Sequence, residues 1–399
     1  MKTADPKNID SDIQSILNAA DRCVACGMCL PVCPSYRIAQ QESESPRGRL
    51  SLIQAYLQGS IEDSLQLRSH LDHCLLCRSC EKICPAKVPF ASIMDRVQSR
   101  LAVNRKWPLT KKLLLACVKN KHYLTVVERL LRVSGFKWFL RQLSLPKLLQ
   151  YAVRLERPDQ FNEFYPASGK AHARVALFTG CVQSFFDPDS LKLTVRVLNH
   201  LGVDVYIPKQ QACCGAMHLH SGKEKDSRQL QEQNKQAFSA LPVDAIISLS
   251  SACTVTLQES AYKDLPVFID LSTFLQQINW QQHATVSELD LSLLLHIPCT
   301  QKNILNNVND LKMIMSHIPG LSVTEITGNC CGAAGTYMLD FPDWSQRIQS
   351  DLLENLDPGA YDYLITSNIG CQLQLENKDI SVVQPITLIA HALSITTNS

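Results

Sequence analysis

Apolar side chains in the first hundred residues recur every three or four positions, whereas beyond residue 172 they gather into short β-branched runs. The first pattern predicts helices with one buried face, the second predicts strands. Residues 10–22 read as a short helix. Ser45-Pro46 ahead of RGRLSLIQAYLQ and Gly59 reads as a capped helix, with Ser at the N-cap, Pro in the first turn and Gly as the stop. Leu50, Ile53 and Leu57 share one of its faces, with Leu52 and Tyr56 beside them. Two more helices are expected near 61–72 and after Pro89, where Ile93, Met94, Val97 and Leu101 fall at helical spacing.

The second half reads strand, helix, strand, and does so twice. Arg174-VALFTG leads to Cys181, VDVYIPKQQA to Cys213-Cys214-Gly215, and DAIISLSSA to Cys253. LSLLLHIP then leads to Cys299, LSVTEITGN to Cys330-Cys331-Gly332, and DYLITSNIG to Cys371. Cys299 follows Cys181 by 118 residues, Cys330 and Cys331 follow Cys213 and Cys214 by 117, and Cys371 follows Cys253 by 118. Agreement at four separate places makes this an internal repeat. Helix-patterned segments between the strands predict parallel sheets, and open α/β sheets carry their sites at the carboxyl ends of strands. Those ends are where the cysteines fall.

Two earlier stretches are denser in sulfur: Cys23-VA-Cys26-GM-Cys29-LPV-Cys33-Pro34 and Cys74-LL-Cys77-RS-Cys80-EKI-Cys84-Pro85. Each matches the C-x2-C-x2-C-x3-C-P run of bacterial ferredoxins, whose first three thiolates hold one [4Fe–4S] cube while the fourth crosses to the other. The crossing rule assigns Cys23, Cys26, Cys29 and Cys84 to one cluster and Cys74, Cys77, Cys80 and Cys33 to the second. Gly27 eases the curl of the first loop, and Pro34 and Pro85 fix the backbone leaving each site. Structural zinc also uses C-x2-C pairs, but two identical four-cysteine runs with trailing prolines fit it poorly. In the repeats, Cys181, Cys213, Cys214 and Cys253, and Cys299, Cys330, Cys331 and Cys371, are candidate ligands for one or two further iron–sulfur clusters. The competing reading keeps them as small buried residues. His218, His220 and His296 are weaker candidates, as ligands or proton carriers, and Cys117 reads as a buried helix residue.

Lys+Arg 39 against Asp+Glu 37 leaves a net charge of +2, which gives nucleic-acid binding no global support. The 17 cysteines, with no apolar leader at the N-terminus, point to metal ligation in a reducing compartment rather than to disulfides. No window approaches a membrane span, so the expected location is cytoplasmic. Residues 100–154 are locally basic, with Lys111, Lys112, Arg129 and Arg132 among many cations, Glu128 as the acidic exception, and aromatics at Trp107, Phe136, Trp138 and Phe139. Such a segment can lie on an anionic membrane surface or pack its apolar stripe between domains. No P-loop, G-x-G-x-x-G or G-x-S-x-G occurs.

Taken together, CVACGMCLPVCPSY, ESPRGRLSLIQAYLQG, HLDHCLLCRSCEKICP, CCGAMHLHSG, CCGAAGTYML and TSNIGCQLQL resemble the iron–sulfur subunits of bacterial glycolate oxidase (glycolate dehydrogenase) over nearly the whole chain. The resemblance implies an α+β multidomain protein. Its parts are an α-helical dicluster ferredoxin domain at 1–100, a basic amphipathic helical connector at 101–170, and two repeated α/β Cys-Cys-Gly domains at 171–284 and 285–399. It also implies a FAD-linked partner that oxidises glycolate or D-lactate, electron flow toward a membrane quinone, and peripheral contact with the cytoplasmic face of the inner membrane. Related subunits serve anaerobic glycerol-3-phosphate dehydrogenase. A thiol-disulfide enzyme like the Cys-Cys-Gly subunit of heterodisulfide reductase is the alternative. That motif carries a fifth cysteine, whereas Ser250 and Asn368 stand three residues before Cys253 and Cys371.

Overall fold

The computed structural model describes residues 6–133, 151, 154–260, 262 and 265–397. The aromatic group Phe136, Trp138 and Phe139 lies outside them, together with part of the basic segment. The chain divides into two compact units. One comprises Met1–Lys106, Met217–Glu224 and Thr327–Glu354, the other Trp107–Ala216, Lys225–Ile326 and Asn355–Ser399.

The first unit is helical. Helices Pro6–Ala20, Pro46–Leu57, Leu65–Asp72 and Phe90–Ala102 converge on a core of Ile16, Leu50, Ile53, Leu67, Leu71, Ile93, Met94, Val97 and Leu101. Leu50, Ile53, Ile93, Met94, Val97 and Leu101 are positions that the helical spacing puts on one face, and Leu57 is half-buried against this core, so burial of that stripe drives the packing. Helix Pro46–Leu57 starts where expected: Ser45 Oγ accepts from the Gly48 N–H at 2.9 Å, and Pro46 fills the first turn, where an N–H has no partner to lose. The helix expected near 61–72 begins later, at Leu65. Ser64 Oγ caps it through the Leu67 N–H at 3.1 Å, and Asp63 just outside pairs with Arg68. Thr327–Glu354 completes this unit. Trp344 stacks on His73 with ring centroids 3.9 Å apart, and Arg37 makes a two-pronged ion pair with Asp351 at 3.0 and 2.8 Å.

The second unit holds both repeats. Strands β1 (Phe164–Tyr165), β2 (Ala173–Phe178), β3 (Val203–Tyr206), β4 (Ala245–Ser248) and β5 (Phe268–Asp270) form one sheet in the order β1-β3-β2-β4-β5. Strands β6 (Leu291–Leu295), β7 (Leu321–Glu325), β8 (Tyr363–Ile365) and β9 (Ser381–Val383) form another in the order β7-β6-β8-β9. All pairings are parallel except β1 with β3. The repeat extends to register. Ala173 pairs with Val203 as Leu291 pairs with Leu321, and Val175 pairs with Ala245 as Leu293 pairs with Tyr363, so each second-copy residue stands 118 after its counterpart. Both sheets share one hydrophobic core that runs from Val175 and Leu177 through Trp280 to Leu293 and Ile389. The copies also touch at equivalent positions, where Ser250 Oγ donates to Asn368 Oδ1 at 2.7 Å.

Candidate metal centres

Both ferredoxin-type runs adopt the same loop. The third residue of each run, Ala25 or Leu76, has φ near +50°, and the fifth, Gly27 or Arg78, has φ of +84° or +58°. Side-chain-bearing residues avoid this region. Three of them held there in two equivalent loops mark backbone shaped by something other than local preference. Neighbours brace the shape. Arg47 Nη1 donates to the Ala25 carbonyl at 2.9 Å, while Arg78 pairs with Glu81 at 2.6 Å, and Glu81 accepts from the Ala91 N–H at 2.7 Å. Cys33 and Cys84 sit at the junctions of short helices with extended backbone, where Pro34 and Pro85 redirect the chain.

The structure brings Cys74, Cys77 and Cys80 of the second run and Cys33 of the first onto one cavity, whose wall also includes Arg49 and Phe90. Burial pushes the Cys74 thiol up to about 12, against the pull of the Arg49 charge and an N–H donated by Leu76. Cys80 is held well above its ordinary value by burial and by the thiols of Cys77, Cys74 and Cys33. Four sulfurs that meet on one cavity form the donor set of an iron–sulfur cluster, whose ligands are thiolates. The donor set and its preformed loops therefore fit a [4Fe–4S] cube. Of the other set, Cys23, Cys29 and Cys84 are half-buried and Cys26 is exposed.

In the first repeat, Cys181, Cys213, Cys214 and Cys253 come together at the carboxyl ends of β2, β3 and β4. Cys181 Sγ lies 3.1 Å from Cys213 Sγ, Cys213 contacts Cys214, and Cys214 contacts Cys253. Sulfur contact followed by burial holds the Cys181 thiol well above its usual range. Asn234 clamps the turn, accepting from the Ala212 N–H at 2.8 Å and donating to the Cys213 carbonyl at 3.0 Å. Gly215 has φ +90°, and a Cβ there would stand 2.6 Å from Ser227 Oγ, so both conformation and space demand glycine. Lys121 turns its ammonium inward, 3.3 Å from Thr179 Oγ1. Burial lowers its affinity for a proton, and the charges of Cys181 and Cys213 act in the opposite sense.

The second repeat's cysteines are divided. Cys299 and Cys371 belong to the unit with the sheets, Cys330 and Cys331 to the helical unit. Cys371 lies on helix Ile369–Leu375, and Asn368 Nδ2 donates to its sulfur at 3.2 Å. His296 is buried, with Nδ1 2.9 Å from Thr366 Oγ1. Burial, aided by Lys302, lowers its pKa to about 4, so it is neutral at physiological pH. Cys330 and Cys331 are buried beside Gly332, where a Cβ would meet the Ser345 carbonyl at 2.6 Å. His220 lies 3.3 Å from Asp95, and His218 is buried. Cys117 is half-buried against Leu124, Leu155 and Phe185, as a helix residue would be. Sequence reasoning missed Arg49 and Lys121, since no motif marks them, and read Asn368 only as a place where a fifth cysteine is absent.

Two family models match the chain: "4Fe-4S dicluster domain" over residues 19–88, and "Cysteine-rich domain" twice, over 175–258 and 293–376. The glycolate oxidase iron–sulfur subunit of Escherichia coli (strain K12) is 29% identical, covering 96% of this chain and 95% of the relative. The probable glycolate oxidase iron–sulfur subunit of Bacillus subtilis (strain 168) is 28% identical over 93% and 92%. Lactate utilization protein A of Bacillus subtilis is 25% identical over 51% of this chain and 90% of its own length. The chain is thus an iron–sulfur protein with one dicluster domain and two cysteine-rich domains, similar over nearly its whole length to subunits of an oxidoreductase.

Proposed function

We propose that this chain is the electron-carrying subunit of a flavin-dependent dehydrogenase complex acting on a 2-hydroxy acid, glycolate or D-lactate. In this reading a FAD-bearing partner oxidises the substrate, and the electrons pass through this chain toward a quinone. The observation that carries the proposal is the meeting of Cys33 with Cys74, Cys77 and Cys80 on one cavity. The remaining ferredoxin-type cysteines, Cys23, Cys26, Cys29 and Cys84, are assigned to the second cluster. The Cys181 and Cys299 sets are assigned to one or two more. When bound, [4Fe–4S] centres supply one-electron transfer without loss of their ligands.

The chain's own residues supply the positioning. Cys33 closes the cavity from the opposite run, so neither run completes that site alone. The Leu76 N–H donates to the Cys74 sulfur and favours its thiolate. Proton and hydride chemistry at the hydroxy acid belongs to the partner, because flavins carry hydride equivalents and thiolate-held cubes do not.

The test is anaerobic purification with the native partner, followed by iron analysis and EPR after addition of glycolate or D-lactate. Cys33→Ser and Cys77→Ser are expected to abolish the same cluster signal. Loss of two different signals would break the crossing assignment, and an iron-poor wild type would end the proposal.

A peripheral, cytoplasmic-face membrane contact is part of this reading. It is supported by helices Leu109–Lys119 and Lys121–Val133, which leave Leu109 70% and Leu113 56% exposed on the same chain segment as exposed Lys112 and Arg129. Among the described residues no helix is long and apolar enough to cross a membrane. Changing Lys111, Lys112 and Arg129 to Glu is expected to reduce flotation with anionic liposomes, and unchanged flotation would remove the membrane contact.

A further inference from the structure

We infer that Arg49 is a positioning residue that braces the two cysteine runs around their shared cavity and raises the reduction potential of the cluster held there. The inference rests on the iron–sulfur reading above and goes beyond it by naming the residue that makes the two ferredoxin clusters unequal.

Arg49 is fully buried, and each edge of its guanidinium is used. Nε donates to the His70 carbonyl at 2.6 Å, on the segment that leads to Cys74. Nη1 donates to Ser35 Oγ at 2.9 Å and to the Glu44 carbonyl at 2.7 Å, on the segment that follows Cys33. Nη2 pairs with Glu44 Oε2 at 2.7 Å. Ser35 Oγ in turn lies 3.3 Å from Cys33 Sγ, so one hydroxyl separates the cation from a cluster ligand. One rigid planar fork thereby ties the two runs to each other, a task for which lysine lacks the geometry.

A structural ion pair would need only Glu44. That carboxylate is shared among Arg49, His70 Nδ1 at 2.6 Å and His73 Nδ1 at 3.0 Å, and Arg49, not Glu44, stands in the cavity wall. The positive member of the pair therefore faces the site. A cluster gains negative charge on reduction, and a buried cation beside it favours the reduced form, since little water intervenes to screen it. The first run's nearest counterpart is Arg47, which is partly solvent-exposed and paired with the exposed Glu42 at 2.7 Å. Its field is screened. The cluster in the Cys33 cavity should consequently take the electron first.

The test is an EPR-monitored redox titration of the purified full chain and its Arg49→Met, Arg49→Lys and Ser35→Ala variants, with iron counted in each. Arg49→Met is expected to lower the midpoint of one cluster by at least tenfold in the reduced-to-oxidised ratio at fixed poise, about 59 mV for one electron. The other cluster should stay in place. Ser35→Ala should lower the same midpoint by less, and Arg49→Lys should recover part of the loss. Both clusters moving together, or neither moving in variants with full iron, would overturn the inference. If Arg49→Met fails to load iron, Ser35→Ala and Arg49→Lys decide it by the same criterion. A wild type without reducible clusters would instead defeat the functional reading itself.

Discussion

At the scale of single residues, the cysteines and their glycines were legible because their chemistry demands them by type and spacing. Arg49 and Lys121 were not, because an arginine or a lysine acquires meaning only from what the fold sets beside it. Gly332 makes the first group testable. With φ +89° and the Ser345 carbonyl 2.6 Å from any Cβ, Gly332→Ala combines backbone strain with overlap. It is expected to destabilise the protein by about 2–3 kcal/mol in urea unfolding, whereas alanine at Gly59, which has open space around it, should cost only its backbone strain. Asp270 tests the second group. Burial raises its pKa, although the N–H groups of Thr273 and Ser272 and the side chains of Asn307 and Gln301 lower it. A folded pKa above the unfolded one means that its contribution is whole at acid pH and is lost as pH rises through the folded value. Asp270→Asn should therefore gain on wild type as pH climbs above the ordinary aspartate range, read from urea midpoints at each pH. A constant difference would refute it.

At the scale of elements, helices were easier to foresee than sheets. The stripe Leu50, Ile53, Leu57 and the Ser45-Pro46 start identify helix Pro46–Leu57 because every signal for it is local. Ser45→Ala should cost about 1 kcal/mol in thermal or urea unfolding, the usual worth of an N-cap. It should also loosen the Glu42 turn, whose carboxylate accepts from Ser45 Oγ at 2.9 Å. The parallel strands ahead of each cysteine were visible as apolar runs. Strands β5 and β9, three residues each, and the two-residue antiparallel β1 were not, because such short segments become strands only through the ladder they join. Sheet order was likewise out of reach, since it depends on contacts far apart in sequence.

At the scale of the whole molecule, the repeat was plain from its spacing, but the composition of the helical unit was not. It draws on Met217–Glu224 and Thr327–Glu354, stretches from within the two cysteine-rich repeats. A fragment of residues 1–106 would lack the Trp344 ring that covers His73 and the Asp351 carboxylate that holds Arg37. Such a fragment is expected to lose iron faster and to be cut by protease sooner than the full chain, and equal resistance would count against the unit's boundaries.

The contact between Ser250 and Asn368 joins a position to its own image in the other copy. That is the mark of a two-fold dimer, in which each subunit offers the same surface to its twin. Within one chain the two faces need not be identical, and here serine stands on one side and, on the other, an asparagine that also reaches the sulfur of Cys371.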